Sequence, residues 1–211
     1  MSSPERRYDA VVFDLLTALL DSWSLWNTVA GSVEHGLRWR RRYLELTYQA
    51  GAYRPYEELV REAARSTGIG TTCADTLIER WDELTPWPEA PQVVGELARR
   101  VPLGVATNCS QRLGLAAAGR CGTAFAAVAT AESVGYYKPR PEPYRAVLCS
   151  LASDPARTLF VAGSAADVPG AKGAGMPVFW HNRMGLKPID GAVPDYVAGT
   201  LLPLLDLVPP I

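Results

Sequence analysis

An apolar run near the N-terminus of the 211-residue chain ends on a carboxylate, and this stretch constrains the fold more than any other. Val11, Val12 and Phe13 are β-branched or aromatic, which favours a strand buried on both faces. Asp14 follows directly, and a buried carboxylate is costly unless a partner compensates its charge. Because ligands of open α/β sheets bind at the carboxyl ends of the strands, we expect Asp14 at such a site. On this stretch alone, the alternative is that Asp14 caps the next helix.

The region that follows this strand has a different hydrophobic pattern. From residue 24 to about residue 84, apolar side chains recur at three- and four-residue spacing, which predicts helices without an intervening strand. The Pro-rich segment 85–88 then predicts a linker, because prolines disfavour helix on both sides. The sequence therefore predicts a helical cap over 21–85, inserted into a core formed by 1–20 and 86–211.

Strand and helix patterns alternate along the rest of the chain. Strands are predicted at 103–107, 125–129, 158–162, 177–180 and 195–198, and helices at 90–100, 111–119, 141–151, 165–174 and 200–207. Such alternation implies parallel strands joined by right-handed crossovers. The predicted fold class is α/β, a doubly wound parallel sheet with helices on both faces and an inserted helical cap.

Polar side chains follow each of the first four predicted strands. Asp14 ends the first strand, Thr107 and Asn108 end the second, and Lys138 and Asp167 come after the third and fourth. A doubly wound sheet brings these ends to one edge, so two carboxylates and one ammonium are expected to meet there. Lys138 near both carboxylates would keep them ionised. Two carboxylates beside one ammonium are groups suited to covalent catalysis by a carboxylate.

Each of these residues alone has an ordinary structural explanation. A lysine before a proline is more often a surface residue, Asp167 alone would usually be a cap or surface charge, and Thr107 and Ser110 are more often helix caps. The order and spacing together are more specific than any single residue. The helix-start amides around Ser110 are expected to hold a substrate carboxylate.

Composition restricts the classes of function. A net charge of −1 argues against non-specific nucleic-acid binding, and no apolar run approaches the roughly 18 residues of a membrane span. Four cysteines without CxxC spacing and only two histidines argue against a zinc site. We therefore expect reduced thiols, a cytoplasmic location, no metal and no cofactor.

The motifs together resemble those of the haloacid dehalogenase superfamily, most closely its L-2-haloacid dehalogenase branch, over nearly the whole chain. Residues 13–19 match the nucleophile motif, a hydrophobic strand followed by Asp-Leu-Tyr-Gly-Thr-Leu. Residues 39–48 are similar to the cap helix in which an arginine follows a tryptophan. Residues 160–167 match the fourth motif, and 180–183 resemble a later segment. Thr107-Asn108 stands where the family has Ser-Asn.

The resemblance implies a Rossmann-like core with a helical cap, and it implies roles for individual residues. The implied catalytic residues are Asp14, Lys138, Asp167 and Arg40. The implied substrate-binding residues are Leu16, Thr107, Asn108, Tyr144, Ser164 and Trp39. Tyr144, six residues after Lys138, is expected to support Lys138 or Asp14.

Two departures from the superfamily's phosphatases bear on the chemistry. Leu16 stands where those enzymes have a general acid, and a leucine donates no proton. Ser164 stands where they have a carboxylate that holds magnesium. Leu16, Ala18, Ala162 and Ser164 also replace residues of the dehalogenase branch. Three alternatives therefore stay open: a hydrolase that opens the ring of azetidine-2-carboxylate, a phosphatase, and a non-catalytic ligand-binding relative.

We predict a metal-independent hydrolase in which Asp14 attacks a carbon of a small 2-substituted carboxylic acid and forms a covalent ester. Arg40 would pair with the leaving group or the substrate carboxylate, and Thr107 and Asn108 would orient the substrate. Asp167 would pair with Lys138 and activate water. The expected partner is the small acid alone, with no nucleic acid or membrane, and the apolar surface of the cap favours a homodimer.

Overall fold

The computed structural model describes residues 7–189 and 192–210. In that part of the chain, six parallel strands form one sheet in the order β3-β2-β1-β4-β5-β6. The strands are β1 (Ala10–Phe13), β2 (Leu103–Thr107), β3 (Ala127–Thr130), β4 (Thr158–Ala162), β5 (Val178–His181) and β6 (Tyr196–Ala198). The α/β parallel-sheet fold predicted from the sequence is confirmed.

Along the described chain, five α-helices lie between β1 and β2, and five more follow. The first four, which we call the inserted helices, are α1 (Ser22–Val29), α2 (Val33–Gln49), α3 (Tyr56–Ser66) and α4 (Thr71–Glu79). The others are α5 (Ala90–Ala98), α6 (Gln111–Gly119), α7 (Ala131–Val134), α8 (Pro141–Leu151), α9 (Asp167–Gly173) and α10 (Leu204–Leu207). Among the described residues, no helix is both long and apolar enough to cross a bilayer.

β1 lies at the centre of the sheet because its side chains are apolar on both faces. Val11 and Phe13 belong to one hydrophobic cluster, and Val12 belongs to the cluster on the opposite face. β1 pairs with β2 on one side and with β4 on the other, so the strand order reverses beside it. This reversal opens a crevice at the carboxyl ends of β1 and β4, where ligands of such sheets bind. Asp14 continues the ladder by donating its amide to the Val161 carbonyl, at 2.9 Å, and therefore lies at that crevice.

The inserted helices pack around a cluster of aromatic rings. The rings of Trp26 and Trp39 lie with their centroids 4.5 Å apart and their planes tilted by 50°, and Tyr43 packs against both Trp26 and Tyr56. The two ends of the insertion meet where Leu20 forms an antiparallel bridge with Pro86. The segment 21–85 thus contains helices and turns, as its periodicity indicates, whereas its role as a separate cap domain stays a prediction.

The bounds of β2, β4, α6 and α8 agree with the sequence prediction, and those of α5, α9, β5 and β6 differ from it by one or two residues. The short helix α7 was not predicted, and β3 and α10 begin later than predicted. β3 begins at Ala127, and Phe125, which precedes the strand, packs its ring edge-on against Phe13. α10 begins only at Leu204, because Pro203 lacks an amide hydrogen and occupies the position before the first helical residue.

We expect Gly163→Ala to destabilise the protein by about 2–3 kcal/mol, because a Cβ there would overlap the backbone of Thr17 and Ala18. Gly163 directly follows β4 and packs against the turn after β1. The matched control is Gly95→Ala in α5, where a Cβ meets open space and should stabilise the helix by about 0.5–1 kcal/mol. Urea unfolding of the two variants measures both effects. Equal stabilities of the two variants would contradict this account of the close approach.

Candidate active site

A cavity of about 370 Å³ lies between the carboxyl edge of the sheet and the inserted helices. Its inner end is formed by residues that follow β1, β2 and β4 and by the Lys138-Pro139 segment. Its outer walls are formed by α2 and by the loop after β5. The residues that line it include Asp14, Leu16, Thr17, Trp23, Leu37, Arg40, Arg41, Tyr43, Leu44, Glu45, Tyr48, Asn108, Lys138, Ser164, Asp167, Leu186, Lys187 and Ile189.

One buried ammonium joins two buried carboxylates at the inner end. Lys138 Nζ lies 2.8 Å from Asp14 Oδ1 and 3.0 Å from Asp167 Oδ1. All three side chains are less than a tenth exposed. Asp14 Oδ2 accepts three further hydrogen bonds, from the Thr17 amide (3.0 Å), the Thr17 hydroxyl (2.6 Å) and the Ala18 amide (3.2 Å). The sequence prediction brought these charges to one edge of the sheet, and the structure places them in contact.

The two carboxylates of this cluster differ in acidity. Burial opposes ionisation of Asp14, but the ammonium of Lys138 and the Thr17 hydrogen bonds outweigh it and lower the pKa of Asp14 below its usual value. Burial also raises the pKa of Asp167, to about 6, because the nearby charge of Asp14 offsets part of the attraction of Lys138. Burial alone would lower the pKa of Lys138, but the charges and hydrogen bonds of the two carboxylates outweigh it and raise that pKa. Asp14 is therefore the ionised member over most of the pH range, whereas Asp167 titrates near neutrality.

Asn108 fixes the main chain that carries Lys138. Its side-chain carbonyl accepts from the Lys138 amide at 2.7 Å, and its side-chain amide donates to the Lys138 carbonyl at 3.0 Å. Tyr43 of α2 donates its hydroxyl to the Asn108 carbonyl, at 3.0 Å. Asn108 lines the cavity as expected, but its amide group already holds Lys138, so it positions the lysine instead of orienting a substrate directly.

Arg40 brings a buried positive charge to the opposite wall. Its guanidinium stacks over the Trp23 ring at 4.2 Å and donates to the Ser22 hydroxyl at 2.9 Å. Its Nε has no hydrogen-bond partner among the described residues, and no carboxylate of the described chain lies within ion-pair distance of it. Burial lowers the pKa of Arg40, yet a guanidinium stays protonated in proteins. A buried, uncompensated cation that lines a cavity is suited to bind an anion.

Three residues expected to contact substrate do not line the cavity. Trp39 points into the inserted helices, where its indole donates to the Val60 carbonyl at 2.9 Å, because adjacent residues on a helix point about 100° apart. Thr107 is fully buried and directs its methyl group toward α6. Tyr144 packs on Phe160 and donates to the main-chain carbonyl of Asp167, at 3.4 Å. Tyr144 thus supports Asp167 through its backbone, whereas the sequence analysis expected it to support Lys138 or Asp14.

The amides at the start of α6 are also occupied. Ser110 donates its hydroxyl to Glu57 at 2.8 Å, and the Gln111 amide donates to a Glu132 carboxylate oxygen at 2.6 Å. Protein carboxylates therefore take the place that the sequence assigned to a substrate carboxylate. Leu16 and Ser164 do line the cavity, and the Ser164 hydroxyl accepts from the Ala166 amide at 3.1 Å.

The residues at the inner end do not suit magnesium. The carboxylates of Asp14 and Asp167 share the ammonium of Lys138, and the neighbouring Ser164 offers a neutral hydroxyl in place of a third carboxylate. Mg²⁺ prefers several hard oxygen ligands in octahedral geometry, which an ammonium between the donors opposes. Within the described residues, no group of three or more acidic, His or Cys side chains is arranged to hold a metal ion.

A family model described as haloacid dehalogenase-like hydrolase matches residues 8–175. The chain belongs to this family. The (S)-2-haloacid dehalogenase of Xanthobacter autotrophicus is 30% identical over 213 residues, which span 92% of this chain and 82% of that protein. An (S)-2-haloacid dehalogenase of Pseudomonas putida is 30% identical over 194 residues, spanning 84% of this chain and 87% of that protein.

A solved structure agrees with these relatives. The L-2-haloacid dehalogenase from Xanthobacter autotrophicus, with chloropropionic acid covalently bound, matches with a TM-score of 0.81 and 26% identity, covering 95% of this chain and 98% of that chain. The predicted superfamily and its L-2-haloacid branch are confirmed, and the chain is an enzyme of the 2-haloacid dehalogenase type.

Several residues that line the cavity of this haloacid dehalogenase-like hydrolase were missed by sequence reasoning. On α2 they are Leu37, Arg41, Leu44 and Tyr48, and after β5 they are Leu186, Lys187 and Ile189. The α2 residues recur at spacings of three and four, so they share one face of the helix with Arg40. With Arg40 identified as a site residue, that spacing could have predicted the other α2 residues that line the cavity. The loop after β5 carries no periodic pattern that points to it.

Two buried side chains hold the turn that binds Asp14. Trp87 donates its indole N–H to the Thr17 carbonyl at 3.0 Å, and His181 Nδ1 lies 2.8 Å from the Ala18 carbonyl. A carbonyl only accepts, so His181 carries its proton on Nδ1, and burial lowers its pKa, which keeps it neutral. The amides of Thr17 and Ala18 donate to Asp14, so Trp87 and His181 position the carboxylate through this turn.

We expect His181→Phe to raise the pKa of Asp14, because the Ala18 carbonyl loses its donor and the turn holds the carboxylate less firmly. His181→Asn keeps a donor close to Nδ1 and should restore a lower pKa. Carbon-13 NMR titration of the Asp14 carboxyl measures the shift. Trp180→Phe is the control, since this neighbouring buried ring packs on the opposite face of the sheet. An unchanged Asp14 pKa in His181→Phe would show that His181 is only a packing residue.

Proposed function

We propose that this enzyme hydrolyses 2-substituted carboxylic acids, 2-haloacids first among them, through a covalent ester on Asp14. The observation that carries the proposal is the single ammonium of Lys138, which lies 2.8 Å from Asp14 and 3.0 Å from Asp167. It provides an ionised nucleophile and a second carboxylate of higher pKa beside it. The relatives named (S)-2-haloacid dehalogenase, and the one with chloropropionic acid covalently bound, support the same substrate class.

In the first step, Asp14 displaces the leaving group. Its Oδ2 is occupied by three donors, whereas Oδ1 accepts from Lys138 alone and keeps a lone pair for attack. Oδ1 bonds to C2 of the acid as the carbon–halogen bond breaks, and the halide leaves with the bonding electrons. Arg40, the buried cation across the cavity, binds negative charge on the substrate or on the departing halide. Carboxylate nucleophiles divide a difficult hydrolysis into two easier steps in this way.

In the second step, water cleaves the ester. Asp167 accepts a proton from a water molecule that attacks Cγ of Asp14. The bond between Cγ and the ester oxygen then breaks, the 2-hydroxy acid leaves with that oxygen, and the proton passes to it. Asp14 then releases the remaining proton of the water to solvent and is regenerated as a carboxylate that contains one oxygen from water. The inserted helices would serve as the cap that keeps other water out of the cavity during the first step.

The donor set disfavours the phosphatase alternative. Leu16 provides no proton for a leaving alcohol, and the shared ammonium and neutral Ser164 do not suit a magnesium ion. The boundaries of the cap at 21–85 and the homodimer remain predictions that accompany this proposal.

A single turnover in ¹⁸O-labelled water tests the ester. With enzyme in excess over 2-chloropropionate, we expect the label to enter Asp14, because water attacks Cγ and the product takes an unlabelled carboxylate oxygen. Mass spectrometry of the peptide that contains Asp14 measures this. Label found only in the 2-hydroxy acid would refute the ester and indicate direct attack by water.

Asp14→Asn, which keeps the size of the side chain, serves as the inactive control and should lose at least about 10³-fold in rate. The same assay run with azetidine-2-carboxylate and with an aryl phosphate, each with and without EDTA, examines the alternative reactions. Activity on the phosphate that EDTA abolishes would refute the proposal in favour of a phosphatase.

The pH dependence of ester hydrolysis tests the role of Asp167. In the free enzyme the pKa of Asp167 is about 6, partly because Asp14 is charged. Ester formation removes the charge of Asp14, so Lys138 then pairs with Asp167 alone. The pKa of Asp167 should therefore fall by about one unit or more. A base acts when ionised, so the hydrolysis rate should be constant above pH 6 and should decline only below it. Rapid-quench measurement of ester decay checks this, and an inflection at or above pH 6 would contradict it.

A further inference from the structure

We propose that the cavity contains a second, apolar subsite and that the preferred substrate is a 2-substituted acid with a hydrocarbon tail of about four to eight carbons. This inference rests on the proposed function, because it assumes that the reacting carbon lies beside Asp14. We call the subsite the outer pocket and define it by Leu37, Leu44 and Tyr48 of α2 and by Leu186 and Ile189 of the loop after β5.

The outer pocket is built from one face of a helix and one loop. Leu37, Leu44 and Tyr48 follow each other at spacings of seven and four residues, which places them in one row along α2. Arg40 lies in the same row, between Leu37 and Leu44, so the pocket is continuous with the catalytic centre. A tail attached to C2 would therefore run along this face of α2.

Three of the five side chains that define this pocket are exposed, and Leu44 and Leu186 are half-buried. Leu37 is 37% exposed, Tyr48 41% and Ile189 48%, whereas most large apolar side chains of the described chain are buried. Exposed large apolar groups that lie together around a cavity indicate a surface that a ligand covers. A hydrocarbon tail would remove this surface from water.

The size of the cavity also favours a substrate with a hydrocarbon tail. Its volume is about 370 Å³, within the range of pockets that enclose ligands well above six non-hydrogen atoms. Chloropropionate has six such atoms and would leave most of this space to water. A longer chain fills it, and each buried methylene contributes up to about fourfold in binding.

The charges of the cavity favour a tail over a second carboxylate. Lys138 is already shared by two carboxylates, and Arg40 is the remaining buried cation among the described lining residues. The other two cations, Arg41 and Lys187, are exposed at the rim, where their attraction is weakened by solvent. One buried cation suits one carboxylate.

A chain-length series tests the proposal. We expect kcat/KM for halide release to rise at least about tenfold from 2-bromopropionate to 2-bromohexanoate as the tail is buried. A flat or falling series, or a preference for 2-bromosuccinate over 2-bromohexanoate, would overturn it. Leu44→Trp should reduce the ratio of long-chain to short-chain kcat/KM by filling the pocket. Ile189→Asp, on the exposed loop, should reduce the same ratio by placing a charge there and serves if Leu44→Trp does not fold.

Leu115→Asp is the matched control, because this leucine is 50% exposed on α6 and does not line the cavity, so the ratio should not change. Calorimetry separates failure of this inference from failure of the proposed reaction. If no bromoacid releases halide, the proposed function fails. Tighter binding of octanoate than of propionate would then still support the outer pocket, and equal binding would overturn it.

Discussion

The interaction on which the site depends is the contact of one buried ammonium with two buried carboxylates. Each charge would be costly alone in this apolar setting. Each carboxylate is tolerated because the ammonium lies within 3.0 Å of it, and the ammonium because both carboxylates do. The three residues follow different strands or turns, so the contact exists only when the sheet order is correct. β1 brings Asp14 to the point where the strand order reverses, β4 brings Asp167 beside it, and Asn108 at the end of β2 fixes the main chain of Lys138. The order of the strands therefore determines both the fold and the arrangement of the charged groups in the site.

Around this contact, the structure holds the nucleophile more rigidly than its own rotamer could. Three donors fix Asp14 Oδ2, and they come from the turn that Trp87 and His181 bind on its outer side. Gly163 closes the same turn from β4, where a side chain has no room. The consequence is a carboxylate whose Oδ2 is held by three donors, whereas its Oδ1 accepts from Lys138. Such preorganisation lowers the cost of attack because little freedom is lost when the substrate arrives.

The sequence predicts the inner end of the site better than its walls. Asp14, Lys138 and Asp167 follow from strand order alone, because parallel strands place what comes after them at one edge. The order of the strands does not determine the direction in which each side chain points. Thr107 ends β2 as expected but faces α6, and Trp39 is next to Arg40 in sequence yet points away from the cavity by about a quarter of a helical turn. The loop that contributes Leu186 and Ile189 has no period at all, so only the folded chain shows that it reaches α2.

The charges of the whole cavity agree with the substrate class proposed above. Asp14 and Asp167 carry two negative charges above pH 6, and Lys138 and Arg40 carry two positive ones, so the buried groups are neutral together. A monoanionic acid adds one charge, on its carboxylate. Ester formation then neutralises Asp14, and the departing halide carries that negative charge away, while the substrate carboxylate keeps its own. A phosphate dianion would add two charges close to Asp14, with no further buried cation among the described residues to compensate them. Leu16 and Ser164 contribute neither a proton nor a charge to change this balance. Leu16 and Ser164 thus disfavour phosphoryl transfer and agree with the proposed displacement on a monocarboxylic acid.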